Sequence, residues 1–293
     1  MINLESRILI TGAKGQLGSD CMKTFSLNGF KNVLGIDRDD LDLTLKNNVI
    51  SFLNNYKPDL IIHCAAWTSV DLAESYKKEV YLINSEATKY LSCYCGKNNI
   101  PLLYISTDYV FDGKGEKPFE INDKKHGLSI YGKSKSLGED YVLEMCKKYF
   151  IVRISWVFGL NGNNFIKTVI KLSDRGDKIM NVVNDQIGSP TYTVDLSQFL
   201  LKLISTDKFG IYHAPNDGYC SWADLARLVV NEIGSPMKIC EISSDDYLKL
   251  NPLQAKRPLN SRMSTKCLEK NGFCKLPSWQ DAAKRYIHEE LRR

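Results

Sequence analysis

Apolar residues in the first half of this chain come in short unbroken runs, separated by stretches with a helical repeat. Ile8-Leu9-Ile10, Val33-Leu34-Gly35-Ile36, Leu60-Ile61-Ile62, Leu102-Leu103-Tyr104-Ile105 and Ile151-Val152-Arg153-Ile154 read as strands buried on both faces of a parallel sheet. Between them, apolar positions recur at three- and four-residue spacing. This predicts a helix over 48–56, a long one over 71–98 carried by Leu72, Tyr76, Val80, Ile83, Ala87 and Leu91, and one opening at Tyr131 and running to Tyr149. Read this way, the chain has given six strands alternating with helices by Ile154, so the fold class is α/β with a doubly wound parallel sheet.

The pattern changes after Trp156. A Gly/Asn loop over 159–164 precedes a helix over 165–175, a turn-rich segment over 184–191 and a helix capped by Asp195. Gly210 to Ala214 reads as a strand, and Ser221 with Asp224 as the capping box of another helix. An irregular basic stretch over 255–262 and a closing amphipathic helix over 279–291 complete the chain. The expected organisation is a dinucleotide-binding Rossmann domain over 1–158 plus roughly 182–212. A smaller α/β substrate-binding domain takes roughly 159–181 and 213–293.

Composition narrows the classes. With 43% hydrophobic and 25% charged residues over 293 positions, the chain has material for a large core. The net charge of +5 is spread along the chain, which suits an anionic small molecule and shows no stripe for nucleic acid. Nine cysteines without a Cys-x-x-Cys and four scattered histidines suggest neither a disulfide framework nor a metal site. No apolar run reaches membrane-spanning length, and the first strand begins too early for a signal peptide. The expectation is a cytoplasmic protein with reduced thiols and no membrane partner.

The candidate chemistry lies at strand ends. Gly12, Gly15 and Gly18 stand between a strand and a helix, where a glycine turn lets the backbone approach a pyrophosphate. Asp37 ends the second strand nineteen residues after Gly18, placed for the adenosine ribose, and Arg38 follows, placed to offset a 2′-phosphate. The pair leaves NADPH and NADH both open. Asp42-Leu43 would close an adenine pocket, and small residues to Ala66 end the third strand before Trp67 and Thr68. His63 reads as a packed strand histidine. Asn84 faces inward and holds either backbone or a water in a proton relay.

The strand ending Ser106-Thr107-Asp108-Tyr109 is followed by Tyr131-Gly132-Lys133-Ser134-Lys135. Four residues apart on a helix, Tyr131 and Lys135 share a face. A phenol titrates near ~10, and an adjacent ammonium lowers it toward working pH as a proton donor. Thr107 would share a substrate oxygen with Tyr131. Taken alone, Tyr-x-x-x-Lys also fits a half-buried tyrosine beside a solvated lysine; its weight comes from the strand ends that converge on it. Arg257 or Arg262 can fork onto a diphosphate or lie solvated at the surface.

With these residues in place the chain resembles the extended short-chain dehydrogenases/reductases, and among them the dTDP-4-dehydrorhamnose reductases. The resemblance rests on Gly12-x-x-Gly15-Gln16-Leu17-Gly18, Ser106-Thr107-Asp108-Tyr109-Val110-Phe111, Tyr131-Gly132-x-x-Lys135 and Ser155-Trp156-Val157-Phe158. It extends through Asn163-Asn164-Phe165, Asn184-Asp185-Gln186-x-Gly188-x-Pro190-Thr191 and Arg257-Pro258-x-Asn260-Ser261-Arg262. It implies hydride transfer from NADPH or NADH to the C4 ketone of a nucleotide-linked 4-keto-6-deoxy sugar. Tyr131 would give the proton, Lys135 would lower the tyrosine pKa and hold the ribose, and Thr107 would orient the ketone. The implied cofactor contacts add Gln16, Leu17, Asp42, Leu43, Ala66, Trp67 and Thr68 to the glycines, Asp37, Arg38, Tyr131 and Lys135. Substrate contacts are expected from Thr107, Asp108, Tyr109, Trp156, Asn164, Gln186 and Arg257. Val194 stands where this family often carries an acid for magnesium at a dimer interface, which counts against a metal-bridged homodimer but leaves a homodimer open. Trp67 also departs from the family, where a smaller residue or a histidine is common.

Two rivals share the fold. A nucleotide-sugar dehydratase needs a second acid directly after the Asp of its Thr-Asp pair, and here Tyr109 stands there. A non-catalytic NADP-binding regulatory subunit, as in the beta subunit of methionine adenosyltransferase, has no need of Tyr131, Lys135 and Thr107 together.

Overall fold

The structure, a computed structural model, describes residues 2–291. The first half builds β1 (Ile8–Thr11), α1 (Gln16–Leu27), β2 (Val33–Ile36), α2 (Lys46–Tyr56), β3 (Leu60–His63), α3 (Val70–Ala73), α4 (Lys77–Tyr81), α5 (Ala87–Asn98), β4 (Leu102–Thr107), α6 (Ile130–Met145) and β5 (Tyr149–Ile154). The second half adds β6 (Val157–Phe158), α7 (Phe165–Asp174), β7 (Ile179–Val183), β8 (Ile187–Gly188), β9 (Thr191–Tyr192), α8 (Thr193–Ile204), β10 (Gly210–His213) and α9 (Trp222–Glu232). The central sheet is parallel throughout, in the order β10-β5-β4-β3-β1-β2. Six strands is the right count, but only five arise before Ile154. β10 supplies the sixth.

Every residue of β1 and β3 is buried. Alternate side chains feed two cores: Ile8, Ile10 and Ile62 pack with Phe25 and Leu200 on one face, Leu9 and Ile61 with Leu53 and Leu91 on the other. α8 belongs to the first face. The hydroxyls of Thr24 and Ser197 meet at 2.7 Å, and Thr193 Oγ1 donates to Asp20 at 2.5 Å, tying α8 to α1. A separate, smaller core gathers Phe158, Tyr192, Val229, Trp279 and Tyr286, with Val194 packed against it.

The expected long helix over 71–98 is broken. α3 and α4 are separate, and a π-helical turn over Leu82–Glu86 precedes α5. The wide turn carries Asn84 inward, where Oδ1 accepts from Trp67 N at 2.7 Å and Nδ2 donates to Trp67 O at 3.1 Å. Of the two roles open to Asn84, backbone bonding is the observed one. α6 stops at Met145, because Cys146 is already extended as the chain turns into β5. Asp195 does not cap α8. It lies in the first turn, where its carboxylate accepts from Asn216 Nδ2 at 2.8 Å and pairs with Arg285 at 2.7 Å. The capping box of Ser221 and Asp224 forms as expected. The closing helix is α-helical over Trp279–Arg285 and π-helical over Tyr286–Leu291. Among the described residues, no helix is long and apolar enough to cross a membrane.

β1 lies between β2 and β3, so the winding reverses there and a crevice opens at the carboxyl ends of the strands, where such sheets bind ligands.

Candidate active site

One cavity of about 720 Å³ follows that edge from the glycine loop to the smaller core. At its first end, β1 runs through Gly12 into α1. A β-carbon on Gly18 would sit 2.1 Å from Gly12 O, so only glycine lets the helix begin against the loop. No side chain caps α1, so its first amides are left for a ligand. This donor set fits a pyrophosphate. Asp37 and Arg38 line the cavity, and Asp37 Oδ2 accepts from Lys14 N at 2.8 Å. Thr44, through its hydroxyl and then its amide, holds the Asp42 carboxyl below its usual range. Leu43, Ala66, Trp67 and Thr68 complete this end, with Gln16 and Leu17 from α1. His63 bonds Thr11 and Thr88 at 2.8 and 3.1 Å, and burial, then the Lys135 charge, lowers it to about 3. It is a neutral packing residue.

Substituting Gly18→Ala should lower dinucleotide affinity about 10–100-fold, since overpacking costs ~1–3 kcal/mol. A fluorescence titration with NADPH reads this. Wild-type affinity would show that the loop tolerates the β-carbon.

The middle of the cavity gathers Thr107, Tyr131 and Lys135, the residues expected to handle the proton. Ser129 caps α6, its Oγ accepting from Gly132 N at 3.1 Å, which sets Tyr131 in the first turn and Lys135 one turn later. Lys135 is 2% exposed, with Nζ 4.0 Å from the centroid of the Tyr104 ring. Burial pulls its ammonium down to about 7, against the opposing charge of Glu139. Thr107, at the end of β4, donates to Asp108 Oδ1 at 2.9 Å and accepts from Tyr109 N at 3.2 Å. Burial pushes Asp108 up to about 6, and its Oδ2 has no hydrogen-bond partner. The Tyr109 ring meets Tyr131 edge-on at 5.4 Å.

One expectation about Tyr131 does not hold in this geometry. Burial raises its phenol well above the usual value, Asp108 adds to the rise, and only the Thr107 hydroxyl opposes it. The rise from burial is the dominant influence on this phenol, and the Lys135 charge does not offset it. The phenol therefore keeps its proton at neutral pH, the state a proton donor needs.

Lys135 also has a measurable cost. Its native pKa near 7 lies below the unfolded value near 10.5, so its burial penalty is full below pH 7 and fades as pH rises toward ~10. Lys135→Met should abolish turnover yet stabilise the chain without cofactor, by about 1–4 kcal/mol at acid pH. Melting curves across pH would show this gain shrinking above pH 7. A gain that grew with pH would contradict the assignment.

At its far end the cavity is aromatic. Trp156 leaves β5 with φ +49°, rare for a side-chain-bearing residue, and its ring stacks on Trp222 at 3.8 Å and 14°. Phe165 meets Trp222 edge-on at 4.8 Å.

Residues 6–292 match the family described as "RmlD substrate binding domain". The chain belongs to this family. It is 39% identical over 292 residues to a dTDP-4-dehydrorhamnose reductase of Aggregatibacter actinomycetemcomitans, covering 95% of this chain and 97% of that protein. It is 35% identical over 245 residues to a dTDP-4-keto-6-deoxy-D-glucose reductase of Streptomyces niveus, covering 83% and 84%. Among solved structures it resembles a dTDP-4-dehydrorhamnose reductase from Bacillus anthracis in complex with NADP. There the TM-score is 0.92 and the identity 36%, with 97% of this chain and 99% of that one covered.

Within this RmlD-family chain, three expected substrate contacts lie outside the cavity lining. Asn164 caps α7, accepting from Lys167 N at 3.0 Å, and its amide donates to Gln16 Oε1, Gly159 O and Tyr286 Oη. Gln186 is buried, donating to Ser244 Oγ at 2.9 Å and accepting from Trp222 Nε1 at 3.2 Å. Arg257, partly exposed, forks onto Asp71 at 3.0 and 3.1 Å. Arg262 bonds Asn260 Oδ1 at 3.1 Å. Sequence reasoning missed Asn163, Phe165, Trp222 and Leu225, which do line the cavity. Asn163 and Phe165 flank Asn164 in a motif already singled out, and Trp222 opens a recognised helix, so their positions were visible but not their direction. Among the described residues, no three His, Cys, Asp or Glu are placed to hold a metal ion.

Proposed function

We propose that this chain reduces the C4 ketone of dTDP-4-dehydro-6-deoxy-L-mannose (dTDP-4-dehydrorhamnose) to dTDP-L-rhamnose. The observation that carries this is convergence: the glycine loop, Thr107, Tyr131 and Lys135 line one cavity. A bound nicotinamide cofactor, NADPH or NADH, supplies the hydride that reaches C4. The chain's residues do the rest. Tyr131, protonated at neutral pH, gives its proton to the oxygen as charge develops there. Thr107 has one hydroxyl proton, held by Asp108; turning it to the ketone polarises the carbonyl. Lys135, buried beneath, holds the ribose, and its ammonium offsets the charge of the phenolate left behind. In this reading the fold divides as the sequence suggests, with 1–158 and roughly 182–212 holding dinucleotide and roughly 159–181 and 213–293 the nucleotide sugar. This reading has the reaction run in the cytoplasm and a homodimer form without a metal bridge at Val194.

A second reading is favoured by the Streptomyces niveus relative, named as a reductase of dTDP-4-keto-6-deoxy-D-glucose. One assay separates them: cofactor oxidation with that sugar, alone and with an epimerase that inverts C3 and C5. Oxidation only with the epimerase supports the rhamnose precursor. Oxidation without it moves the substrate to the unepimerised sugar. Bound cofactor with no oxidation in either overturns both.

A further inference from the structure

Among the described residues, three non-glycine positions have positive φ: Lys57, Asn99 and Trp156. Lys57 and Asn99 end α2 and α5, where a left-handed residue is ordinary. Trp156 ends no helix. What surrounds it is a set of interlocked side chains. One face of its indole lies on Trp222. Gly188 of β8 backs its edge so closely that a β-carbon there would sit 2.9 Å from Trp156 Cε2. Trp222 is fixed in turn by Gln186, whose amide is used at both ends, on Trp222 Nε1 and on Ser244 Oγ. Asp185 fixes Ser244, accepting from its amide at 2.8 and 3.0 Å and from its hydroxyl at 2.6 Å.

The stack also joins two parts of the fold. Trp156 follows β5 of the central sheet, and Trp222 opens α9 beside the smaller core. Ile154, two residues before Trp156, pairs in register with Thr107. The aromatic wall therefore begins within two residues of the strand end that holds the reacting group.

We propose that Gln186 and Trp222 are positioning residues that hold Trp156 in its left-handed conformation, and so set the wall against which the hexose of the nucleotide sugar packs. The hexose is the occupant this position favours, because an indole offers an apolar face to the C–H side of a sugar ring. A displaced wall moves the ketone relative to Tyr131. For its substrate class the proposal rests on the reductase reading.

Three variants test it: Trp222→Ala, Trp222→Phe and Gln186→Leu. Stacked indoles give an exciton couplet in circular dichroism, which reports the brace without any ligand. Calorimetry then compares dTDP-glucose with dTDP, isolating the affinity that the hexose adds. The couplet should vanish in Trp222→Ala and weaken in Gln186→Leu. The hexose increment should fall about tenfold in Trp222→Ala and less in Gln186→Leu. Trp222→Phe, which keeps an aromatic face, should recover most of it, and NADPH affinity should hold throughout. KM for the keto sugar should rise more than kcat falls. An unchanged hexose increment in Trp222→Ala overturns the proposal. So does a loss confined to dTDP itself, which would assign the wall to the base, or a parallel loss of NADPH affinity, which would mark general damage. If the wild type reduced no keto sugar, the reductase reading would fail, while the couplet and the hexose increment would still decide the brace.

Discussion

Replacing Tyr131 by phenylalanine should cut turnover about 10²–10⁴-fold, the usual worth of a positioned proton donor, while leaving dinucleotide affinity within about twofold, well under the tenfold that ~1.4 kcal/mol would bring. The ring would stay, because its edge-on packing against Tyr109 at 5.4 Å is an aromatic contact that phenylalanine keeps. Only the proton source would go. Thr107 cannot replace it, since an aliphatic hydroxyl can hydrogen-bond the ketone oxygen but is too weak an acid to give up its proton. Steady-state rates and a cofactor titration on the same preparation separate the two effects. Near-full activity in the variant would remove Tyr131 from the reaction. A joint loss of rate and cofactor affinity would make the residue structural.

The second large effect falls on stability. Glu139 is fully buried and lies one helical turn beyond Lys135 on α6. Arg153, 2% exposed, grips it with two bonds of 2.8 Å, and Lys125 approaches at 3.3 Å. Burial pushes the Glu139 carboxyl upward, but the bonds and charge of Arg153 outweigh it and hold the group ionised. Arg153 also donates to Ile121 O and faces His213, which burial and that same guanidinium keep neutral. Glu139→Gln would leave a buried guanidinium without its counter-charge, at a cost of about 3–5 kcal/mol. Urea unfolding reads this directly. The double variant Glu139→Leu with Arg153→Met removes both charges and should recover most of the loss. Equal destabilisation in single and double variants would show that the cost lies in packing rather than charge.

The parts of the site that were legible in the sequence are those fixed by local geometry. A strand running into spaced glycines and a helix needs only neighbouring residues, as does a tyrosine four positions from a lysine. Thr107 was legible because a buried parallel strand presents its carboxyl end to the crevice. Direction and partners were not legible. Asn164, Gln186 and Arg257 are polar side chains for which a ligand is one partner among many, and each finds its partner within the fold. Trp222 faces the cavity only because α9 packs beside α7, β7 and Trp156, a long-range arrangement with no local signature. The π-helical turn that aims Asn84 inward left the apolar repeat nearly intact, so the 71–98 stretch read as one helix. The lowering of Tyr131 failed for an electrostatic reason: burial of the phenol penalises its charged form more than its neighbours favour it.

The most direct test of the account is to follow the hydride. The purified chain would be given the 4-keto sugar, the epimerase and a nicotinamide cofactor deuterated at its transferable position, and the product examined by NMR. The account predicts dTDP-L-rhamnose with one deuterium, at C4, formed by the wild type and not by Tyr131→Phe. Deuterium at another carbon, or product without label, would contradict it.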